Sequence, residues 1–149
     1  MKVIKGDLLK LGMDGRFDVI VHGCNCFHTM GSGIALQIKK TFPYAFEVDK
    51  KTIKGDKKKL GTYSVASIKI NDNYLIILNA YTQYGYGGQN VNVDYTAIKN
   101  VFIKIAKDFN GLRIGFPKIG CGLAGGDWKK VSKIIDICLK GQDYTLCIL

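Results

Sequence analysis

At 149 residues, 47% hydrophobic and with a formal charge of +10, the chain has material for one core and a surface that favours an anionic partner. No apolar run approaches the roughly 20 residues that cross a bilayer, and Lys2 and Lys5 interrupt the start too early for the apolar centre of a signal peptide. A single domain over residues 1–149 is expected, cytoplasmic, monomeric and without membrane contact. Five cysteines, an odd number, argue against a secreted disulfide scaffold and read as reduced thiols.

In chain order, Val3-Ile4 opens a short strand, and residues 17–22 form a β-branched run that ends at Gly23 and reads as a buried strand. Ile34, Ala35 and Ile38 share one face of a helix predicted over 34–41, stopping before Pro43. Lys50, Lys51, Lys54, Lys57, Lys58 and Lys59 follow. With no arginine and aromatic residues interleaved, they read as a solvated surface rather than a nucleic-acid arm. Residues 62–70 and 74–81 pair as a hairpin around Asn71-Asp72-Asn73. Ala97, Ile98, Val101, Phe102 and Ile105 recur at helical spacing over 94–109, and Asn110-Gly111 ends that helix. Residues 113–117 make a short strand, and Asp127 caps a helix reaching about Lys140. Residues 144–149 are almost wholly apolar, as in a strand covered on both faces. The alternation predicts an α/β fold, a three-layer α/β/α sandwich around a mixed, mostly parallel sheet of about six strands.

Two segments share one local grammar. Residues 22–33 and 117–127 each join a strand to a helix through several glycines. Glycine lets backbone approach a ligand closely and take positive φ, and the helix N-terminus behind it offers unpaired N–H groups. Two such cradles at one end of a sheet suit a diphosphate. Gly120-x-Gly122-x-x-Gly125 has the form of a dinucleotide fingerprint, but it lies in the last unit, with too little chain after it for a dinucleotide fold. Phosphate binding is retained and an NAD cofactor is not. His22, Cys24, Cys26 and His28 alternate, yet structural zinc sites draw ligand pairs from separated segments. No metal or other cofactor is expected, and Cys24 and Cys26 read as packing residues beneath the loop.

At these residues the chain resembles the macrodomain family. The stretches that carry the resemblance are Gly6-Asp7-Leu8-Leu9, Val21-His22-Gly23-Cys24-Asn25, Met30-Gly31-Ser32-Gly33-Ile34-Ala35 and Pro117 through Trp128, in that order. The nearest likeness is to the branch of ADP-ribose 1″-phosphate phosphatases and lysine-dependent ADP-ribosyl hydrolases. The resemblance implies ADP-ribose or a derivative as ligand, free or attached to a protein or nucleic acid. It implies that Asp7 accepts a hydrogen bond from the adenine amino group, with Leu8 beside it, and that Asn25 contacts the distal ribose. It implies that Gly31, Ser32, Gly33 and Ile34 line one side of the diphosphate. Gly120, Cys121, Gly122, Leu123, Ala124 and Gly125 would wrap the other. Read without it, Asp7 is equally a turn former and Asn25 a loop cap.

The lysine of the covalent hydrolases is missing from residues 79–85, and Leu123-Ala124 stand where some of them carry an acid. His22 resembles the histidine of the phosphatase branch. His22 and Asn25 are therefore the catalytic pair expected, His22 as general acid or base and Asn25 holding ribose and water; a structural histidine at a strand end is the alternative. Cys121 lies where a helix N-terminus could lower its pKa, though no arginine accompanies it as a cysteine phosphatase would require. The aromatic loop after residue 81 reads as a lid, with Tyr81 or Tyr84 over the ligand. The expected function is hydrolysis of ADP-ribose 1″-phosphate to ADP-ribose and phosphate. A non-catalytic reader, or an ADP-ribosyl hydrolase without the usual lysine, stands as the alternative.

Overall fold

Strands and helices alternate along the chain in the computed structural model, which describes residues 1–88 and 91–149. The order is β1 (Lys2–Lys5), α1 (Leu8–Met13), β2 (Val19–Cys24), α2 (Gly33–Thr41), α3 (Pro43–Lys50), β3 (Tyr63–Ile70), β4 (Asn73–Tyr81), α4 (Tyr95–Asp108), β5 (Ile114–Phe116), α5 (Trp128–Cys138) and β6 (Tyr144–Ile148). Two of the helices have no counterpart in the sequence expectation. Helix α1 is six residues long, too short to show a period. Pro43, expected only to stop α2, is also the first residue of α3, where its fixed φ suits a helix start.

The strands form one sheet in the order β1-β6-β5-β2-β4-β3. All neighbours are parallel except the β3–β4 hairpin at one edge. That hairpin turns through Asn71-Asp72, with Asn71 at φ +55, a left-handed conformation that asparagine tolerates. Alternation along β2 divides the core. Val19 and Val21 pack with Val101 and Phe102 of α4 and Val131 and Ile135 of α5. Ile20 and Cys24 pack with residues of α1, α2 and α3, among them Leu9, Ile38 and Ala45. Both faces of the sheet are covered, which is why its central strands read as unbroken apolar runs.

This order places β2 beside β5 and sends the chain into opposite helical layers from the ends of the two, into α2 from one and α5 from the other. Their carboxyl ends therefore splay apart, and a crevice opens there, as open α/β sheets provide at a switch point. At the centre of β5, Gly115 lies against the buried ring of Phe17, where an added Cβ would come within 2.7 Å of Cδ2. Gly115→Ala should lower stability by about 1–3 kcal/mol through overpacking, read as a reduced denaturant midpoint with an unchanged slope.

Candidate functional site

A cleft of about 490 Å³ lies across the carboxyl ends of β2 and β5, walled by the β2–α2 and β5–α5 loops. The β5–α5 loop is held by its own backbone. Cys121 N donates to Lys118 O at 3.2 Å, Gly125 N to Gly122 O at 3.0 Å and Gly126 N to Gly120 O at 2.7 Å. Gly120 and Gly125 take φ of +74 and +75, which the tight path requires. The four residues of this loop that line the cleft beyond residue 119 are Gly120, Gly122, Leu123 and Ala124. They are also the ones whose amides make no hydrogen bond among the described residues. Cys121 and Gly125, which do not line it, have their amides engaged within the loop. Among the described residues, a row of donors without partners lies along the cleft.

The opposite wall differs. In α2 the N-cap residue Ser32 makes no side-chain cap bond, so the first helical amides, from Gly33, Ile34 and Ala35, have no partner among the described residues at the wall that those same residues form. Helix α5 is closed by contrast: Asp127 accepts from Lys129 N at 3.0 Å, and its own N–H goes to the Tyr95 hydroxyl. The expectation of a bare helix terminus behind each loop thus holds for α2 only. Behind the second loop a carboxyl group caps the helix, and the loop amides alone form the cradle. Lys118, exposed and on the cleft wall, adds a positive charge.

The Macro domain family matches residues 21–135, more than half of the chain. The chain belongs to that family. It is 39% identical over 142 residues to an uncharacterised 17.5 kDa protein of the tk–vs intergenic region of Enterobacteria phage T4, covering 91% of this chain and 88% of that one. It is 27% identical over 128 residues to the DNA ADP-ribosyl glycohydrolase of Mycobacterium tuberculosis, covering 86% of this chain but only 35% of that longer protein. Among solved structures, the macrodomain of Mycobacterium tuberculosis DarG superposes with a TM-score of 0.82 at 24% identity, covering 99% of this chain and 97% of that one. At that identity the likeness is one of fold.

The macro domain brings most of the expected ligand residues to the cleft. Asn25, Gly31, Ser32, Gly33, Ile34, Gly120, Gly122, Leu123 and Ala124 line it. Asn25 also braces its own loop, as its Oδ1 accepts from Phe27 N at 2.8 Å and its Nδ2 donates to Thr29 Oγ1. Asp7 and Leu8 lie outside the lining. Asp7 caps α1, accepting from Leu9 N and Lys10 N, and Leu8 is buried in the core. They nevertheless stand at the carboxyl end of β1, on the same end of the sheet as the cleft.

The expectations for His22, Tyr81, Tyr84, Cys121 and Gly125 are corrected. His22 does not reach the cleft: it is wholly buried, with Nε2 2.7 Å from Asn79 Oδ1. Burial pushes its pKa down to about 4, against a smaller upward effect of the Asn79 bond, so near neutral pH it is an uncharged strand residue rather than an acid or base at the ligand. Tyr81 is no lid, since the strand turns its side chain inward, where burial raises its pKa and its hydroxyl bonds Asp49 and Ser64. Tyr84 packs edge-on against Phe27 and donates to Gly55 O, while the exposed Tyr86 is the aromatic residue on the cleft wall. Cys121 is outside the lining, and burial, followed by the Asp127 charge, raises its pKa, the reverse of an activated thiolate. Cys24 does line the cleft, but burial and then Asp49 raise its pKa too. Gly125 supports the loop without lining the cleft.

The structure also gathers residues that the sequence did not single out. Lys59, expected in a solvated segment, is 8% exposed and donates to Cys26 O at 3.0 Å and Thr52 Oγ1 at 2.8 Å. Asp49, at the end of α3, is 1% exposed and lines the cleft floor. Burial of an aspartate and a lysine in so lysine-rich a stretch has no signature in composition. It follows from α3 packing onto β3 and β4.

Proposed function

We propose that this macro domain binds ADP-ribose, with the diphosphate between the α2 N-terminus and the Gly120–Ala124 amides. In this reading the adenine lies toward Asp7 and Leu8 at the β1 edge, and the second ribose toward Asn25 and the end of β4. The observation that carries it is the coincidence of cleft-lining residues with amides of the β5–α5 loop that have no partner among the described residues. Backbone N–H groups fixed by their own loop are suited to phosphate oxygens, and charge-assisted bonds of this kind are about twice as strong as neutral ones. A volume of about 490 Å³ lies within the range of small-molecule sites.

The finer reading is hydrolysis at the distal ribose, with ADP-ribose 1″-phosphate giving ADP-ribose and phosphate. What favours attack by water over a covalent lysine route is that residues 79–85, at and after the end of β4, carry no lysine, Gln83 being the one that lines the cleft, and that Ala124 stands in the last loop. The glycohydrolase name of the mycobacterial relative and the charge of +10 favour a second substrate, ADP-ribose attached to DNA. Calorimetry with ADP-ribose should show saturable one-to-one binding. Phosphate release from ADP-ribose 1″-phosphate, run beside release of ADP-ribose from modified DNA and modified protein, then identifies the bond cut. Binding without release from any substrate would leave a reader of ADP-ribose. Absence of binding would overturn the reading as a whole.

A further inference from the structure

Behind the β2–α2 loop runs a chain of buried and half-buried side chains whose hydrogen bonds can be given a direction. Asn79 Nδ2 donates to Ala45 O, an atom that only accepts, so the amide orientation is set and Asn79 Oδ1 is the acceptor for His22 Nε2–H. The other Nδ2 proton goes to Ser64 Oγ at 3.0 Å. Ser64 lies 2.9 Å from the Tyr81 hydroxyl, which donates to Asp49 Oδ1 at 2.8 Å. The donors thus run from His22 through Asn79, Ser64 and Tyr81, and end on a carboxyl oxygen. Its twin, Asp49 Oδ2, is buried and has no hydrogen-bond partner among the described residues, although the residue lines the cleft. A buried acceptor left unsatisfied is costly unless a ligand completes it.

Its position says which part of a ligand does so. Asp49 reaches the cleft beneath the end of β4, whereas Asp7 lies at the end of β1, the opposite edge of the sheet. A diphosphate held between β2 and β5 has one sugar directed each way. We propose that Asp49 is a specificity-determining residue whose Oδ2 accepts a hydrogen bond from a hydroxyl of the sugar at the β4 end, the distal ribose. The inference rests on ADP-ribose occupying the cleft in the orientation given above. Tyr81 acts as a positioning residue, since its bond to Oδ1 fixes the rotation of the carboxyl group and leaves Oδ2 for the ligand. The Lys59 ammonium, 4.8 Å from the centre of the Tyr81 ring, places a buried positive charge beside this group.

Calorimetry with ADP-ribose and with ADP, which lacks the distal ribose, tests it on wild type and Asp49→Asn. Wild type should prefer ADP-ribose. Asp49→Asn should lose about tenfold or more of its ADP-ribose affinity, the value of one such hydrogen bond, and keep its ADP affinity within about twofold. If that variant melts too low for binding to be read, Asp49→Ser replaces it, withdrawing the oxygen from the ligand at smaller volume, with the same loss of preference expected. Unchanged ADP-ribose affinity overturns the inference. Equal losses for both ligands do so too, because they would mark a structural residue. If wild type binds neither ligand, the proposed function itself has failed; if it binds both and the variants keep its preference, only the role of Asp49 has.

Discussion

Alanine at Gly126 should cost about 1–3 kcal/mol of stability and weaken ADP-ribose binding by about a hundredfold. An added Cβ at this position would lie 2.5 Å from Gly120 O and 3.0 Å from Val93 Cγ1. The first is a backbone atom, which no rotamer change can move aside. Gly120 O is also the acceptor of the Gly126 amide, in the bond that closes the loop. The clash therefore opens the loop at the point that sets the direction of the Gly120–Ala124 amides. The stability loss is that of a tight site forced apart. The affinity loss corresponds to about two charge-assisted hydrogen bonds at roughly 1.5 kcal/mol each. Gly122→Ala is the control for stability, since its Cβ would meet nothing within 4 Å. Thermal melting and calorimetry on both variants check the pair. A Gly126→Ala protein that binds ADP-ribose as wild type does would show that these amides do not hold the diphosphate.

The parts of the fold that could be read in the sequence are those whose signals are local. The apolar period of α4, the Asp127 cap of α5 and the hairpin turn around Asn71-Asp72-Asn73 each lie within one segment; the first two are found as read, and the turn is one residue tighter, with Asn73 already in β4. The glycine loops belong with them, because strand, glycines and helix are contiguous. Pairings across distance were not legible. His22 meets Asn79 at a separation of 57 residues, and Tyr81 meets Asp49 at 32. A histidine ending a strand before a glycine loop looks the same whether it turns toward the ligand or under it. The position along β2 decides, since His22 shares the face of Cys24, which lines the cleft, but stands two residues further from the strand's end, beneath it. Asp49 was hidden for a further reason. An aspartate preceding Lys50 and Lys51 has the pattern of a solvated ion pair, yet Lys50 pairs with Glu47 and Asp49 turns inward.

Acidification from pH 7.5 to 4.5 should remove roughly 2–3 kcal/mol of stability through His22 alone. Its pKa in the folded protein is about 4, against 6.5 for the ordinary side chain. The unfolded chain therefore binds a proton at a pH where the folded chain does not, and acid favours unfolding. The full contribution is present above pH 6.5, falls as pH drops through that value, and levels off below about 4, where both states are protonated. At the steepest part the slope approaches about 1.4 kcal/mol per pH unit. The physical cause is burial: the ring is shielded from water, and a proton added at Nδ1 would meet the Cys24 sulfur, 3.8 Å away, while the Asn79 bond acts more weakly in the other direction. In a chain of this length the loss corresponds to a melting temperature lower by roughly 5–10 °C. Asp18 and Asp108, whose pKa values are lowered by their partners, also contribute to acid sensitivity, so the measurement is the difference between wild type and His22→Gln, whose amide can still donate to Asn79. The variant should be flatter than wild type between pH 6.5 and 4.5, while its binding of ADP-ribose at pH 7.5 stays within about twofold. Identical pH profiles would place a titrating His22 in contact with solvent, and return it to the candidates for acid–base chemistry at the ligand.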